Sequence, residues 1–460
     1  MNVKKSYDVF MKILFIVCII IYICFLLTSK QHVFKIPFFI LIQFVIIGCI
    51  SVLEILKDKN IYSLNKMHWY FICLFMFIAP VTQIISGYVP WGYKLDNKLM
   101  LYSNWMIIIW EIIFLFFYNK RKKIRIIITK KKHYTYPMII KFNYIERCIL
   151  IFISLISVFM LVHLVGFNNL FVRDAAQLGG NSVYVVFNYF LRAVPVINSV
   201  IFIQQRRKYK NVSIFAIFLL LFCTILLNSP VALSRYWTGV VYIGVIISIC
   251  PDKFFQGQKF DIFILFIFIV IFPIFSVFKN NTLSDILITG LNLDITETYN
   301  SVDFDAYSML CRVIDYTSNN GIQFGKQLRS VIFFFVPRAV WNIKGMPTGE
   351  LVSSEQGAIF TNLSSPLISE GYIDFGILGV VVYACIFAKM LRYFDDMYWC
   401  YKNNDKANFF EIIIPFMLGF VIFIMRGPLQ STFLRLMGFY LYLILIYCVL
   451  KLTLKLRCSI

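Results

Sequence analysis

The sequence predicts an all-α membrane protein, a polytopic helix bundle of about twelve transmembrane helices with one large outer loop that contains short helices. Composition is the first observation behind this fold class. Of the 460 residues, 60% are hydrophobic and only 15% are charged, and the mean hydropathy is +0.78. Soluble domains carry about 25% charged residues. The second observation is that uncharged apolar runs of roughly 17–25 residues, long enough to cross a bilayer, recur along the chain.

Twelve apolar runs fit this length. They lie near residues 11–28, 36–54, 68–87, 99–118, 147–166, 184–203, 211–228, 236–250, 261–278, 371–390, 410–425 and 431–450. The first run has no small-x-small cleavage site and another run follows it at once. We therefore interpret it as a retained anchor and not as a signal peptide.

The positions of the basic residues predict the orientation of these spans. Lys4 and Lys5 precede the first span, and the runs KRKKIRIIITKKK (120–132) and QQRRKYK (204–210) follow even-numbered spans. Every even connection is basic, as the positive-inside rule requires of the cytoplasmic side. Both termini are thus predicted to be cytoplasmic. Topology also accounts for the formal net charge of +21, so we expect no nucleic-acid partner.

One outer connection is much longer than the others. It divides the chain into a membrane bundle at 1–278, a large extracytoplasmic loop at 279–370 and C-terminal membrane helices at 371–460. The loop is rich in Phe, Trp, Ile and Leu, a composition that favours order over disorder. We expect an amphipathic helix around Ser308–Tyr316. The run RSVIFFFVPRAVW (329–341) is too short to span, and we expect it to dip into or lie on the outer leaflet.

Cations at the outer side form the first candidate site. The loop has more acids than bases, so its cations do not follow from a general basic bias. Arginine near hydrocarbon costs at least roughly 2.5–3.5 kcal/mol at the bilayer centre unless it is paired or snorkels, and its planar fork binds phosphate oxygens in pairs. We expect the outer cations to converge on a pyrophosphate, the alternative being that each one snorkels or pairs with a nearby acid. They are Arg235, Arg338, Lys344, Arg426 and Arg435.

The run from Phe335 to Gly379 resembles the Wzy-type O-antigen and oligosaccharide repeat-unit polymerases. The matching pieces are PRxxW at Pro337–Trp341, KGxPTG at Lys344–Gly349, TNLS at Thr361–Ser364 and EGYxDFGxxG at Glu370–Gly379. The layout of apolar runs, with a large outer loop late in the chain, is similar as well.

This resemblance implies a reaction. Such polymerases join glycan repeat units carried on undecaprenyl pyrophosphate at the outer face of the bacterial inner membrane, and so make the O-antigen of lipopolysaccharide or a capsule. The growing glycan leaves its lipid pyrophosphate and moves onto a sugar hydroxyl of the next unit. The resemblance further implies a helical fold similar to GT-C glycosyltransferases, no metal or other cofactor, and a partner co-polymerase that regulates chain length.

The transfer needs a base, because a sugar hydroxyl is a weak nucleophile. Glu370 is the first candidate, since it precedes a predicted span where partial burial makes a carboxylate a stronger base. Asp303 and Asp374 are the runners-up. Trp341 and Tyr372 are candidates to stack on sugar rings, although aromatic residues also populate the membrane interface for other reasons.

Other functions stay open. A flippase for the same lipid-linked glycan would show two related halves and charges along a central path. An O-antigen ligase or another GT-C glycosyltransferase would keep the cation site and differ in acceptor or donor. The resemblance implies a histidine base in the loop of a ligase, and the large loop contains none. The tripeptide DFD at 303–305 matches the DxD pattern of metal-using transferases, but such tripeptides are frequent by chance. The twelve cysteines form no CxxC pattern, so neither a disulfide framework nor a zinc site is predicted.

Overall fold

The computed structural model describes residues 37–120, 138–139, 142–172, 182–250, 252–272, 274, 299–357, 360–402 and 407–458. Over these residues the regular structure is helical, apart from one antiparallel ladder in which Met138 pairs with Asn408 and Ile139 with Ala407. Eight of the described helices are long and apolar enough to cross a membrane. The all-helical, membrane-spanning class predicted from the sequence is therefore confirmed.

The long helices frame the bundle. They are α1 (Phe38–Lys57), α2 (Leu64–Ser86), α3 (Asn97–Asn119), α4 (Tyr144–Val165), α5 (Ser182–Tyr209), α12 (Leu367–Tyr401), α13 (Phe409–Arg426) and α14 (Leu429–Cys458). Shorter apolar helices lie between them, namely α6 (Ile214–Leu227), α7 (Arg235–Ile249) and α8 (Lys259–Phe266). The large loop contributes α9 (Ala306–Asn320), α10 (Lys326–Ile332) and α11 (Thr348–Glu355).

The predicted count of twelve spans is not confirmed. The span predicted near 11–28 lies outside the described residues. The spans predicted near 211–228, 236–250 and 261–278 correspond to α6, α7 and α8, which as regular helices contain 14, 15 and 8 residues. About 20 residues are needed to cross the hydrocarbon core at 1.5 Å per residue. α8 continues as a π-helix over Ile267–Ile271, which lengthens it by little more than one turn.

The helix connections gather at two ends of the bundle. One end holds α9, α10 and α11, and we call it the loop end. At the opposite end, Lys402 donates hydrogen bonds to the Tyr62 hydroxyl at 2.7 Å and to Asp252 at 2.5 Å. These residues belong to the connections after α12, α1 and α7. The connections predicted to be cytoplasmic therefore lie together, as alternating spans require.

The predicted amphipathic helix around Ser308–Tyr316 is confirmed and is longer than expected. It is α9, and its apolar face packs against α3 and α12 with Tyr307, Leu310 and Ile314 buried. α10 ends at Ile332, five residues before Pro337. The described part of the loop thus folds as short helices that pack against the membrane helices.

α12 is bent near its start. Phe375 and Gly376 have non-helical angles, with φ/ψ of −143°/19° and 61°/−144°. A positive φ is accessible to glycine because it has no Cβ. The bend frees the carbonyl of Ile373, which accepts a hydrogen bond from the backbone N–H of Gln323 at 2.8 Å. The bend therefore docks the segment between α9 and α10 onto α12.

Two further glycines of the EGYxDFGxxG motif permit this bend. A Cβ on Gly379 would lie 1.8 Å from the carbonyl oxygen of Gly371, and a Cβ on Gly371 would lie 2.8 Å from the carbonyl oxygen of Gly379. The two backbones are thus in direct contact across the bend. Side chains at either position would force them apart.

We predict that Gly379→Ala lowers the melting temperature of the detergent-solubilised protein, because the added methyl group overpacks the bend at a cost of about 1–3 kcal/mol. Thermal unfolding followed by tryptophan fluorescence measures this. Gly239→Ala in α7 is the control, since among the described residues a Cβ there meets only Ile243 Cδ1, at 4.0 Å. Equal melting temperatures for the two variants would contradict the role given to Gly379.

Candidate functional site

Two arginines and two aspartates meet at the loop end. Asp303 lies in the 3-10 turn Val302–Phe304, and Asp305 directly precedes α9. Arg235 begins α7 and Arg426 ends α13. Arg235 Nη1 lies 2.5 Å from Asp303 Oδ2, and Arg426 Nη2 lies 2.8 Å from Asp305 Oδ1. We call these four residues the Arg–Asp cluster.

The cluster is largely buried. Each charge is paired with an opposite charge, and this pairing offsets the free-energy cost of removing the charges from water. The Asp305 side chain is 0% exposed, while that of Asp303 is 17% exposed, the largest value among the four. Arg426 also donates through Nε to the backbone carbonyl of Asp303 at 3.1 Å. The Tyr236 hydroxyl donates to the same carbonyl at 2.8 Å. The cluster therefore fixes the turn that starts α9.

Arg435 lies beside the cluster, separated from it by two aromatic rings. The Arg426 guanidinium is 4.5 Å from the centroid of the Tyr236 ring, and that ring stacks on Phe423 at 6.2 Å. The Arg435 guanidinium is 5.3 Å from the Phe423 centroid, and its Nε donates to the Tyr189 hydroxyl at 2.9 Å. Arg435 is thus held by cation–π and hydroxyl contacts.

Arg338 and Lys344 belong to a different structure, a compact turn over residues 333–345 that we call the hook. Lys344 Nζ donates to the carbonyls of Phe334 at 2.8 Å and Val336 at 2.9 Å. Arg338 donates to the carbonyls of Lys344 at 2.8 Å and Gly345 at 3.1 Å. Burial lowers the pKa of Lys344, and the nearby charge of Arg338 adds to that effect. The two cations satisfy backbone carbonyls of an irregular segment and do not join the cluster.

The hook carries exposed apolar side chains. Phe333 and Phe335 are 46% and 55% exposed, and Val340 and Ile343 are 79% and 74% exposed. Soluble surfaces seldom expose such a contiguous apolar patch. This agrees with the predicted contact of the segment with the outer leaflet.

The two predicted sugar-stacking residues lie apart from each other. Trp341 packs edge-on against Phe333 within the hook, with ring centroids 6.3 Å apart. Tyr372 lies in α12 and donates its hydroxyl to the Tyr102 hydroxyl of α3 at 3.2 Å. Their contacts therefore stabilise the hook and the α3–α12 interface.

Glu370, the first candidate for the base, joins three helices. Its Oε2 accepts a hydrogen bond from the Thr348 hydroxyl at 2.7 Å, and its Oε1 accepts one from the backbone N–H of Leu429 at 3.1 Å. Leu429 is the first residue of α14, where backbone N–H groups lack intrahelical partners. Glu370 thus caps α14 from a distance and ties it to α11 and α12. Both carboxylate oxygens are engaged.

Asp374 is engaged in the same way. It accepts hydrogen bonds from the backbone N–H groups of Gln327 and Leu328, both at 3.0 Å, and from the Tyr383 hydroxyl at 2.9 Å. It therefore caps α10. Of the three predicted bases, Asp303 is the one that contacts a guanidinium group and lies in the Arg–Asp cluster.

An apolar groove begins at the cluster. It encloses about 320 Å³ between α7, α8 and α13, and Arg235 and Tyr236 line it together with Thr238 and mainly apolar residues. The lining continues along one face of α7 with Gly239, Ile243 and Ile246. The Arg235 guanidinium also lies 5.2 Å from the centroid of Phe272 in the opposite wall. The groove thus leads from a charged pair along the apolar helices.

Sequence reasoning missed three residues that the structure makes important. Asp305 was considered only as part of the DFD tripeptide. In the structure its Oδ1 accepts a hydrogen bond from Arg426 and its Oδ2 accepts one from Trp91. Each aspartate of the tripeptide is paired with an arginine. Thr348 and Trp91 were not singled out. The sequence did contain a sign that Trp91 has a role, because it lies in the short PWG turn between two predicted spans. Within the described ranges, no group of three or more His, Cys, Asp or Glu residues is placed to hold a metal ion.

Comparison with protein-family models, with curated proteins and with solved structures gives no match to this chain. The functional argument therefore depends on the geometry of the loop end and on the local motifs.

We predict that Thr348→Val lowers the melting temperature, because it leaves a buried carboxylate oxygen of Glu370 without its donor. The expected cost is about 1–3 kcal/mol. Thr348→Ser keeps the hydroxyl and is the matched control, so it should melt close to the parent protein. If the valine and serine variants have the same melting temperature, the contact between Thr348 and Glu370 does not stabilise the junction of α11, α12 and α14.

Proposed function

We propose that this protein is a membrane glycosyltransferase that polymerises glycan repeat units linked to undecaprenyl pyrophosphate, of the O-antigen or capsule type, at the outer face of the bacterial inner membrane. The Arg–Asp cluster at the start of the apolar groove carries the proposal. A lipid diphosphate combines an apolar chain with a compact anion. The groove offers apolar walls to the chain, and Arg235 and Arg426 offer guanidinium groups to the anion.

The resemblance of residues 335–379 to repeat-unit polymerases supports the same class of reaction. Two residues of this run lie next to Arg426: the backbone N–H of Ser365 donates to the carbonyl of Arg426 at 3.2 Å, and Glu370 caps the helix that starts just after Arg426. In this proposal Glu370 and Asp374 are positioning residues. They cap α14 and α10, and α14 begins just after Arg426 of the cluster.

The transfer itself follows from the chemistry of the cluster. The arriving diphosphate competes with the two aspartates for the guanidinium donors and takes over Arg235 and Arg426. This releases the Asp303 carboxylate, which accepts the proton of the acceptor hydroxyl. The hydroxyl oxygen bonds to the anomeric carbon of the growing glycan while the bond from that carbon to the phosphate oxygen breaks. The electron pair leaves with the diphosphate, whose developing charge the arginines stabilise.

Arg435 has a supporting role in this arrangement. Its charge lies behind the stacked rings of Tyr236 and Phe423, so it adds positive potential without a direct contact to the cluster. Arg338 and Lys344 keep the hook rigid, and the hook's apolar side chains hold the loop end at the lipid surface. A co-polymerase that regulates chain length is the partner that this function implies.

We predict that the purified protein in lipid nanodiscs converts lipid-linked repeat units into a ladder of longer glycans. Asp303→Asn removes the base and Arg426→Ala removes a group that stabilises developing charge, so each should reduce ladder formation by about 10²–10³-fold. Arg392→Ala is the matched control. Arg392 pairs with Asp396 at 2.7 Å towards the opposite end of α12, and its removal should leave the ladder unchanged.

The membrane level and melting temperature of each variant are measured alongside, because Arg426 also holds the turn before α9. A normal ladder from Asp303→Asn would place the base elsewhere. Single transfer to lipid A by the parent protein would identify a ligase. Movement of the lipid-linked unit across the bilayer without any covalent product would identify a flippase.

A further inference from the structure

An open cleft lies at the loop end next to Asp305, whose carboxylate accepts a hydrogen bond from Trp91 of the lining. It is bounded by the turn Pro90–Gly92, by α9 and by Gln356, Gly357 and Phe360, and it encloses about 690 Å³. Small-molecule sites commonly measure roughly 300–1,000 Å³. The lining combines aromatic rings with polar groups: Trp91, Tyr93, Lys94, Arg312, Asp315, Gln356 and Phe360.

The aromatic wall of the cleft is rigid. Trp91 and Phe360 stack with ring centroids 5.3 Å apart and planes 14° apart, and Phe360 remains 51% exposed. Trp91 has φ 61°, a conformation rare for a bulky residue and maintained only where the surroundings enforce it. Its indole N–H donates to Asp305 Oδ2 at 2.9 Å, and its carbonyl accepts from Arg312 at 3.0 Å.

The polar wall of the cleft contains a hydrogen-bond donor, the guanidinium group of Arg312, that is not fully used. Arg312 is only 4% exposed, and its Nε has no hydrogen-bond partner among the described residues. Its Nη1 lies 3.5 Å from Gln356 Oε1, at the outer limit for a hydrogen bond. Buried donors normally have partners. Asp315 accepts from the Tyr93 hydroxyl at 2.9 Å, so acceptor and donor groups lie on the same wall.

We propose that this cleft binds a saccharide. A sugar ring has flat C–H faces that pack on aromatic rings and a rim of hydroxyls that need both donors and acceptors, and the cleft supplies both kinds of surface. The identity of the saccharide rests on the proposed function, which makes it the glycan of the lipid-linked repeat unit.

The position of the cleft fits this ligand. Asp305 accepts from Trp91 of the cleft through Oδ2 and from Arg426 of the cluster through Oδ1, at 2.9 and 2.8 Å. The groove, the cluster and the cleft are therefore consecutive. They match the lipid, diphosphate and glycan parts of one substrate in order.

The test uses the lipid-free repeat-unit oligosaccharide, released from its carrier by mild acid, as the probe. Its binding to the full-length protein in nanodiscs is followed by saturation-transfer NMR. Phe360→Ala should weaken binding by about fivefold or more through the loss of a stacking surface, and Gln356→Ala should weaken it as well. Phe254→Ala is the matched control, because Phe254 is a similarly exposed phenylalanine, at 58%, near the opposite end of the bundle.

Weaker binding by Phe360→Ala and Gln356→Ala, with Phe254→Ala unchanged, supports the cleft. Equal binding by all three variants overturns it. A parent protein that makes the ladder from lipid-linked units but does not bind the free oligosaccharide also overturns the cleft, and leaves the polymerase intact. A parent that neither binds the oligosaccharide nor makes a ladder overturns both proposals.

Discussion

A guanidinium group among apolar helices must find an anion or several carbonyls, and this requirement organises the loop end. Arg235 and Arg426 come from the ends of two helices, and the only carboxylates within 4.0 Å of them in the described part of the chain are Asp303 and Asp305. The two pairs fix the turn before α9. Asp305, which follows this turn, accepts a hydrogen bond from the indole N–H of Trp91 and so holds Trp91 in place. Groove, cluster and cleft therefore depend on the same two ion pairs, each of them costly to break from one side.

The charged residues and glycines of the EGYxDFGxxG motif have structural roles in this fold. Glu370 and Asp374 cap α14 and α10, while Gly371, Gly376 and Gly379 permit the bend between them. Each residue has a structural reason to be there. The base of the proposed reaction is therefore better sought in a carboxylate that contacts a cation, and Asp303 meets that description. The motif acts next to this site, through the start of α14 just after Arg426.

Much of the fold could be predicted from hydropathy, because a bilayer requires long apolar helices. The span expected at 99–118 is Asn97–Asn119, and the one expected at 410–425 is Phe409–Arg426. The partners of the arginines could not be predicted. Arg235 and Asp303 are 68 residues apart, and Arg426 and Asp305 are 121 apart. The hydropathy pattern of a sequence indicates which residues avoid lipid. It does not indicate which of several acidic residues will pair with a given cation. Arg338 illustrates this, since nearby carbonyls satisfy it instead.

The bent start of α12 has a consequence for biogenesis. The segment with α10 and α11 emerges from the ribosome before α12 and α14, yet Asp374, which caps α10, and Glu370, which accepts a hydrogen bond from Thr348 of α11, belong to α12. α10 therefore lacks its cap, and α11 its contact with Glu370, until α12 has been synthesised. α10 also packs against α14, so the native contacts of this segment are complete only when the last membrane helix is in place.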